Sequence, residues 1–257
     1  GHGYYNYWHS GERKGYSGVA TYCKEEPLYV QEGLGVDIFD REGRLSSGIV
    51  ESHLPDPGRL LELLIPGTNV WLRPAPKNSD RKTKFSTVMV EKEGVLISLD
   101  TTLPNRFIKE ELSKGSIPML NRWSIIKQEY KMGNHRIDFL LNNPDGEDVF
   151  TEIKSVTYVE DATAMFPDAV TDRGKKHVKL LSSLTKDGKR TQIIFICQRP
   201  DAEIFQPMWD RDPSFSKALA DAKQAGVDIK CFTTNVTLKE ITFCKEIPLN
   251  LTPPDEQ

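Results

Sequence analysis

The chain has 257 residues, of which 38% are hydrophobic and 28% are charged, and its formal net charge is −3. This length can form one large domain or two smaller ones, and the slightly negative total excludes a protein that is basic overall, so a nucleic-acid surface would have to be local. No apolar run reaches the ~18 residues of a membrane span, and the four widely spaced cysteines match neither a zinc ribbon nor a disulfide framework, so we expect a cytoplasmic protein without a membrane partner.

Residues 1–44 differ from the remainder of the chain. They are rich in Gly, Tyr and charged residues and contain only short apolar runs such as "GVATYC" and "PLYV". This pattern is typical of a hairpin fragment or a partly ordered arm.

Residues 45–103 carry short β-rich runs separated by Pro and Gly turns, among them "NVWLRPA" and "FSTVMVEKEGVLISLD". Strands of this length and spacing predict a small barrel. The stretch "DTTLPNRFIKEELSKG" that follows predicts a turn, a Pro-Asn entry and a helix that ends near Gly115.

Residues 104–250 mix strands and helices, and residues 251–257 form a tail. From residue 123 the predicted order is β-β-β-α-β-α-β, with helices in "FPDAVTDRGKKHVKLLSSLTKDG" and "PSFSKALADAKQAG". This order predicts an α/β or α+β domain built on a mixed sheet.

Two carboxylates face each other in the predicted hairpin "HRIDFLLNNPDGEDVFTEIKSV". A hairpin that is symmetric about Asp145, in the turn, pairs Asp138 with Glu152. Carboxylates this close repel unless a cation lies between them, and Mg²⁺ or Mn²⁺ is the natural candidate. Lys154 lies on the same face as Glu152, because strand side chains alternate, and it could position a phosphate and its attacking water.

That arrangement suits phosphodiester hydrolysis, but a second interpretation stays open. Acid-x-Lys triplets also begin at six other positions of the chain, mostly in polar sequence. Glu152 and Lys154 could likewise form an ion pair that faces the surface, and a register slip of one residue would remove the facing geometry.

The helix after the hairpin brings further polar residues toward the predicted core. At 100° per residue, Arg173 and His177 fall on the apolar arc formed by Val170, Gly174, Val178, Leu180, Leu181 and Leu184. A core-facing Arg and His need partners, which the carboxylates or a bound phosphate would provide. The alternative is an exposed pair at the start of the helix.

Basic residues are concentrated in two segments. Residues 172–190 carry seven Lys/Arg against two Asp, and residues 73–84 carry five against one. Such local excess suits contacts with a phosphate backbone, although ordinary solvated faces would look the same.

Several motifs occur in an order that resembles the sugar fermentation stimulation protein family. They are "HLPDPGRLLELLIPG", "DTTLPNRFIKE", "RIDFLL…VFTEIKSVTYV" and "MFPDAVTDRGKKHVKLL…IIFICQR", within residues 46–250. The resemblance implies an OB-like barrel followed by a PD-(D/E)XK nuclease-like domain, and it implies a DNA-binding protein. Its rivals are a non-catalytic DNA-binding regulator of sugar metabolism genes and a factor that acts through protein partners.

Carried over residue by residue, the resemblance assigns Asp138, Glu152 and Lys154 to the catalytic core. In related nuclease folds an acid on the first core helix helps to hold the metal, which implies Glu110 or Glu111. We take Glu111 as the third ligand of Mg²⁺ or Mn²⁺, beside Asp138 and Glu152. The residues we predict to contact DNA are Arg59, Lys82, Lys84, Arg106, Arg136, Arg173, Lys176 and His177.

Residues 1–44 do not fit that family. "YWHSGERKGYSGVATYCKEEPLYVQEGLGVDIFDREGR" resembles an internal piece of the exonuclease III family of endonucleases and contains none of its catalytic motifs. We therefore interpret the chain as a fusion and do not transfer abasic-site activity to it.

Overall fold

The computed structural model describes residues 50–76, 80–133 and 135–253, together with the backbone of residues 5–9 and 19–23. The chain divides into two compact units, one formed by Gly1–Thr101 with Val236–Glu240 and the other by Thr102–Asn235 with Ile241–Gln257. Most of the predicted N-terminal segment 1–44, Lys77 of the basic segment 73–84, and the end of the predicted tail lie outside the described residues.

The N-terminal segment contains one pair of strands. β1 (Tyr5–His9) and β2 (Val19–Cys23) pair antiparallel, with Tyr5 opposite Cys23. This is the pairing expected of a hairpin fragment.

The first unit is built around β5. Its strands are β3 (Ser52–His53), β4 (Val70–Pro74), β5 (Phe85–Lys92) and β6 (Val95–Ser98). β4 and β6 pair antiparallel with β5, whereas β3 pairs parallel with its first two residues. Apolar side chains from β5, β6 and the loop before β4 form the core of this unit, which consists of Leu60, Leu63, Val90, Ile97 and Leu99.

The second unit begins with a helix. In chain order its elements are α1 (Leu103–Lys114), a 3₁₀ turn (Pro118–Leu120), β7 (Ser124–Met132), β8 (His135–Asn142), β9 (Asp148–Val156), β10 (Val159–Glu160), β11 (Thr163–Phe166), α2 (Asp172–Lys186), β12 (Arg190–Cys197), β13 (Ile204–Pro207), α3 (Pro213–Gln224), β14 (Asp228–Val236) and β15 (Ile241–Ile247). None of the helices in these described residues is long and apolar enough to cross a membrane.

Six of these strands form one mixed sheet in the order β15-β14-β12-β9-β8-β7. β7, β8 and β9 pair antiparallel, and β9, β12 and β14 pair parallel. A smaller sheet has the order β10-β11-β13. The mixed sheet was predicted, whereas β15 and the smaller sheet were not, because their runs are short or follow a strand already taken as the last.

Helices cover both faces of the mixed sheet. On β12, Phe195 packs into a cluster with Val178 of α2 and Phe215 of α3, whereas the adjacent Ile194 packs into a second cluster with Phe107 of α1. Because strand side chains alternate, α1 lies on one face of the sheet and α2 and α3 on the other. The sheet is therefore buried on both sides, and its central strand β12 ends in a continuous apolar run over residues 193–197.

Short-range signals fix the ends of the helices that reach the site. α1 ends at Gly115, whose φ of 67° is left-handed and whose N–H donates to the carbonyls of Glu111 and Leu112. α2 begins at Asp172 with Thr171 as its cap, whose hydroxyl accepts the N–H of Gly174 at 3.0 Å. The predicted helix started before this point, and Val170, placed in its apolar arc, is instead 70% exposed.

Candidate active site at the carboxylate hairpin

The β8–β9 hairpin has the predicted register. Phe139 lies opposite Thr151 and Asn142 opposite Asp148, so the two numbers of each pair sum to 290. In the turn, Asn143 Oδ1 accepts the N–H groups of Asp145 and Glu147, at 3.1 Å and 2.8 Å. This side chain holds the turn that sets the register. The ladder ends one position before Asp138 and Glu152.

Asp138 occupies the place where β8 and β9 separate. The N–H of Ile153 donates to Asp138 Oδ2 at 2.8 Å, where a continuing ladder would offer a backbone carbonyl of β8. Asn105 Nδ2, in the first turn of α1, donates to Asp138 Oδ1 at 3.1 Å. The carboxylate is therefore fixed between β9 and α1, beside the backbone of Glu152.

Glu152 is buried, with 4% of its side chain exposed, so the ion pair that it forms with Lys154 does not face the surface. Lys154 Nζ donates to Glu152 Oε1 at 2.5 Å, and Nδ1 of His177 contacts the same oxygen. The other oxygen, Oε2, is buried and has no hydrogen-bond partner within the described residues. This oxygen is therefore available to accept a further hydrogen bond or to ligate a cation.

The pKa values of the two carboxylates are shifted in opposite directions. Burial, followed by the charge of Glu152, raises the pKa of Asp138 to about 6, although the Ile153 N–H, Lys154 and Asn105 oppose the rise. Burial also disfavours ionisation of Glu152, but Lys154 and His177 outweigh it and hold the pKa of Glu152 below its ordinary value. Both groups are therefore ionised near neutral pH, where the pair carries two negative charges.

This donor set fits a hard divalent cation. Carboxylate oxygens are the preferred protein ligands of Mg²⁺, which keeps several waters and binds substrate phosphates through its remaining positions. Glu152 offers an oxygen without a partner, and each Asp138 oxygen keeps lone-pair capacity beyond its one hydrogen bond. Asp138 and Glu152 are therefore the residues that would hold such an ion.

Glu111 does not join this pair. Its carboxylate accepts Lys114 Nζ at 2.8 Å and the hydroxyl of Ser116 at 2.5 Å. It lies six residues beyond Asn105 on α1, which is about 9 Å along the helix axis. Among the residues that the structure describes, no three His, Cys, Asp or Glu side chains are grouped to hold a metal. The α1 residue that reaches the acid pair is Asn105, so the third-ligand prediction is not supported by the geometry.

The predicted DNA contacts of the second unit are exposed, with one exception. Arg173 and Lys176 are exposed on α2, Arg106 is exposed on α1, and Arg136 on β8 pairs with Glu129 at 3.1 Å. Arg173 therefore points to solvent rather than to the predicted core. His177 is buried against Glu152 and so belongs to the acid pair rather than to a DNA-facing surface.

The predicted contacts of the first unit are also exposed. Arg59 lies in the loop between β3 and β4, and Lys82 and Lys84 lie just before β5. Arg73 of the same basic segment is exposed on β4 and forms an ion pair with Asp100 at 3.1 Å.

The sequence predicts one of the two further residues of the site. His177 was expected on the apolar arc of α2 with the carboxylates or a bound phosphate as its partner, and it contacts Glu152, although it was also counted among the DNA contacts. Asn105 was given no role, and no pattern in the sequence marks it.

Comparison with known proteins gives concordant matches. Residues 102–240 match the family model of the sugar fermentation stimulation protein RE domain, and residues 36–99 match that of the SfsA N-terminal OB domain. The second match includes residues 36–44 of the N-terminal segment.

Curated and solved relatives cover most of the chain. A sugar fermentation stimulation protein homolog of Chloroflexus aurantiacus is 40% identical over 209 residues, which are 81% of this chain and 80% of the relative. A homolog of Clostridium tetani is 40% identical over 199 residues, or 77% of this chain and 86% of the relative. The structure of Pyrococcus furiosus SfsA in complex with Ca²⁺ is 31% identical, has a TM-score of 0.72, and covers 79% of this chain and 87% of that chain.

These matches confirm the predicted fold class, an OB-like barrel followed by a nuclease-like α+β domain. The finer assignment to the PD-(D/E)XK type stays a prediction.

Proposed function

This chain belongs to the sugar fermentation stimulation protein family, and from that membership we propose that it binds DNA and hydrolyses phosphodiester bonds at a divalent-cation site. The observation that carries the proposal is the buried, unpartnered Oε2 of Glu152 beside the Asp138 carboxylate. The Pyrococcus furiosus relative was solved in complex with Ca²⁺, a hard cation that takes oxygen ligands, and this supports a divalent cation as a ligand of this chain.

Asp138, Glu152 and Lys154 have different roles in the proposed reaction. Asp138 and Glu152 would hold the cation, which when bound would act as a Lewis acid toward a phosphate oxygen and activate a water. Lys154 keeps 13% of its side chain exposed while its ammonium group lies on Glu152, so it reaches solvent at the edge of the site. From there it stabilises the charge that develops on the phosphate and orients the attacking water.

Local positive charge supports DNA as the substrate. Lys176, Lys179 and Lys186 are exposed on α2. Their spacings of three and seven residues place them on one side of the helix, along about 15 Å of its axis. Such a row follows a phosphate backbone without reading sequence. The OB domain is a fold that often binds oligonucleotides.

A second candidate is a non-catalytic DNA-binding regulator. The observation in its favour is that Lys154 and His177 already compensate the charge of Glu152 without a metal. A nuclease-like fold with an internally neutralised carboxylate needs no cation for stability, and it could recognise DNA without cleaving it.

The deciding experiment is a nuclease assay on single- and double-stranded DNA with Mg²⁺, with Mn²⁺ and with chelator. We expect cation-dependent cleavage by the parent protein and none by Glu152→Gln, with DNA affinity retained by both. Glu110→Gln, which changes an exposed acid of α1, is the matched control and should cleave normally. DNA binding without cleavage under every cation condition favours the regulator, and absence of DNA binding at low salt refutes both candidates.

A further inference from the structure

The two oxygens of Glu152 are used unequally. Lys154 and His177, which come from different elements, both lie on Oε1, whereas Oε2 receives no hydrogen bond from the described residues. A carboxylate with both donors on one oxygen cannot rotate about its last side-chain bond without losing them. The free oxygen is therefore kept in one fixed direction.

The two donors are not equivalent as anchors. Lys154 is two residues from Glu152 on the same strand, and its flexible side chain moves with that strand. His177 is 10% exposed and belongs to α2, so among the described residues it is the one that ties the carboxylate to a separate element of the fold. Its neighbour Val178 lies in the core cluster between α2, α3 and the sheet.

The helix that carries His177 is itself locked in place. Asp212 accepts the N–H of Thr171 at 2.9 Å through one oxygen and the N–H of Phe215 at 2.9 Å through the other, and it thereby joins the starts of α2 and α3. A Cβ on Gly174 would come within 3.3 Å of the Phe215 ring, which shows how closely the two helices approach. The imidazole is therefore presented by a rigid scaffold rather than by a surface side chain.

From this geometry we infer that His177 is the positioning residue of the cation site, which fixes the Glu152 carboxylate so that Oε2 is directed at a divalent ion. The inference rests on the proposed cation site and assigns His177 a role that acts through Glu152. Partners that orient metal ligands in this way typically change metal affinity by about 10- to 100-fold when they are removed.

A purely structural role of His177 would have different consequences. If His177 only neutralises a buried charge, its loss lowers stability and leaves the intrinsic affinity for the ion unchanged in the folded protein. If His177 positions Glu152, metal affinity depends on where the side chain at position 177 places the N–H that contacts Glu152. Asn can place an amide N–H near the position of the imidazole Nδ1, whereas Gln carries its amide one bond further out.

The test is calorimetric titration of the full chain with Mn²⁺ alone, for the parent protein and for His177→Asn, His177→Gln and His177→Leu. We expect His177→Asn to stay close to the parent, and His177→Gln and His177→Leu to bind Mn²⁺ about 10- to 100-fold more weakly. DNA affinity measured in chelator should be the same for all four proteins.

Thr185→Val is the matched control, because Thr185 lies on α2 and bonds to the Leu181 carbonyl and to Thr191, away from Glu152. It should lose stability and keep the parent's Mn²⁺ affinity. If His177→Leu does not fold, the Asn and Gln variants alone decide the question.

Equal Mn²⁺ affinity in the parent, Asn and Gln proteins overturns the role of His177 and leaves the cation site intact. A parent protein that binds no Mn²⁺ refutes the cation site itself, and the inference falls with it.

Discussion

Replacement of Asp138 by Asn tests the electrostatic cost of the acid pair. Burial, and then the charge of Glu152, raises the pKa of Asp138 from its ordinary 3.8 to about 6. Asn keeps the shape of the side chain and one carbonyl oxygen to accept the Ile153 N–H. The Asn105 amide can turn to present its oxygen to the new amide, so the substitution removes charge with little loss of hydrogen bonding.

The sign of the effect follows from proton linkage. Between pH 3.8 and about 6 the folded protein keeps a proton on Asp138 that the unfolded chain has lost. The stability from this proton is fully present below pH 3.8 and is lost as the pH rises through about 6. A pKa difference of about 2 corresponds to about 3 kcal/mol. An amide side chain does not titrate. The free energy of unfolding of Asp138→Asn should therefore exceed that of the parent by an amount that grows to about 3 kcal/mol between about pH 4 and pH 7.

Urea unfolding of both proteins at a series of pH values from about 4 to 8 measures this difference. Asp145→Asn, a substitution of an exposed acid in the turn of the same hairpin, is the control and should show no such trend. Mn²⁺ should raise the free energy of unfolding of the parent at pH 7 and leave that of Asp138→Asn unchanged, because only the ionised pair binds the ion. A stability difference that stays constant across the pH series would refute the claim that burial of this carboxylate is costly.

Three other perturbations have definite expected outcomes. Gly174→Ala places a Cβ 2.8 Å from Thr171 Cγ2 and should cost about 1–3 kcal/mol in thermal or urea unfolding, whereas Ser183→Ala on the exposed side of α2 should stay within about 0.5 kcal/mol. Lys176→Glu with Lys179→Glu should lower the salt slope of DNA affinity by roughly 2 in fluorescence anisotropy. Lys217→Glu with Lys223→Glu, an equal charge change on exposed residues of α3, is the control and should leave that slope unchanged. Deletion of residues 1–44 should lower stability and leave DNA affinity and any nuclease activity of the folded protein intact, and a folded truncation that loses either one contradicts this interpretation. Deletion of residues 1–35 spares the part matched by the OB domain and should cost less stability.

The hairpin could be predicted because its signals are local. The turn residues of "NNPDGED" fix the register, and a register fixes which side chains of two adjacent strands face each other. Asp138 and Glu152 were brought together on this basis, and the observed pairs continue in the same register up to Phe139 and Thr151. The end of α1 at Gly115 was predictable for the same reason, since a left-handed cap needs only its own residue.

The partners of the acid pair were only partly predictable, because they depend on how helices pack on the sheet. Periodicity places His177 on the buried side of α2, where the hairpin carboxylates or a bound phosphate are its expected partners, but it does not say which carboxylate His177 contacts. Asn105, which reaches Asp138 from α1 on the opposite face, was not predicted. Arg173 shared the predicted arc with His177 and is nevertheless exposed, since it lies in the first turn of a helix that begins at Asp172.

Glu111, the predicted third ligand, differs from the acid pair in its surroundings. A buried acid on a core-facing helix is expected to need a cationic partner. The Glu111 carboxylate already accepts hydrogen bonds from Lys114 and Ser116, which lie close to it in sequence. Glu152 also has a local partner in Lys154, but its Oε2 receives no hydrogen bond from the described residues. Ionised Asp138 is costly at neutral pH, and leaving the Glu152 oxygen unsatisfied adds about 1–3 kcal/mol. Apolar residues at these positions would remove both costs, and real proteins depart from such local rules chiefly at functional sites. A cation that joins the two carboxylates would relieve both costs at once, whereas a hydrogen-bonding side chain could relieve only the second.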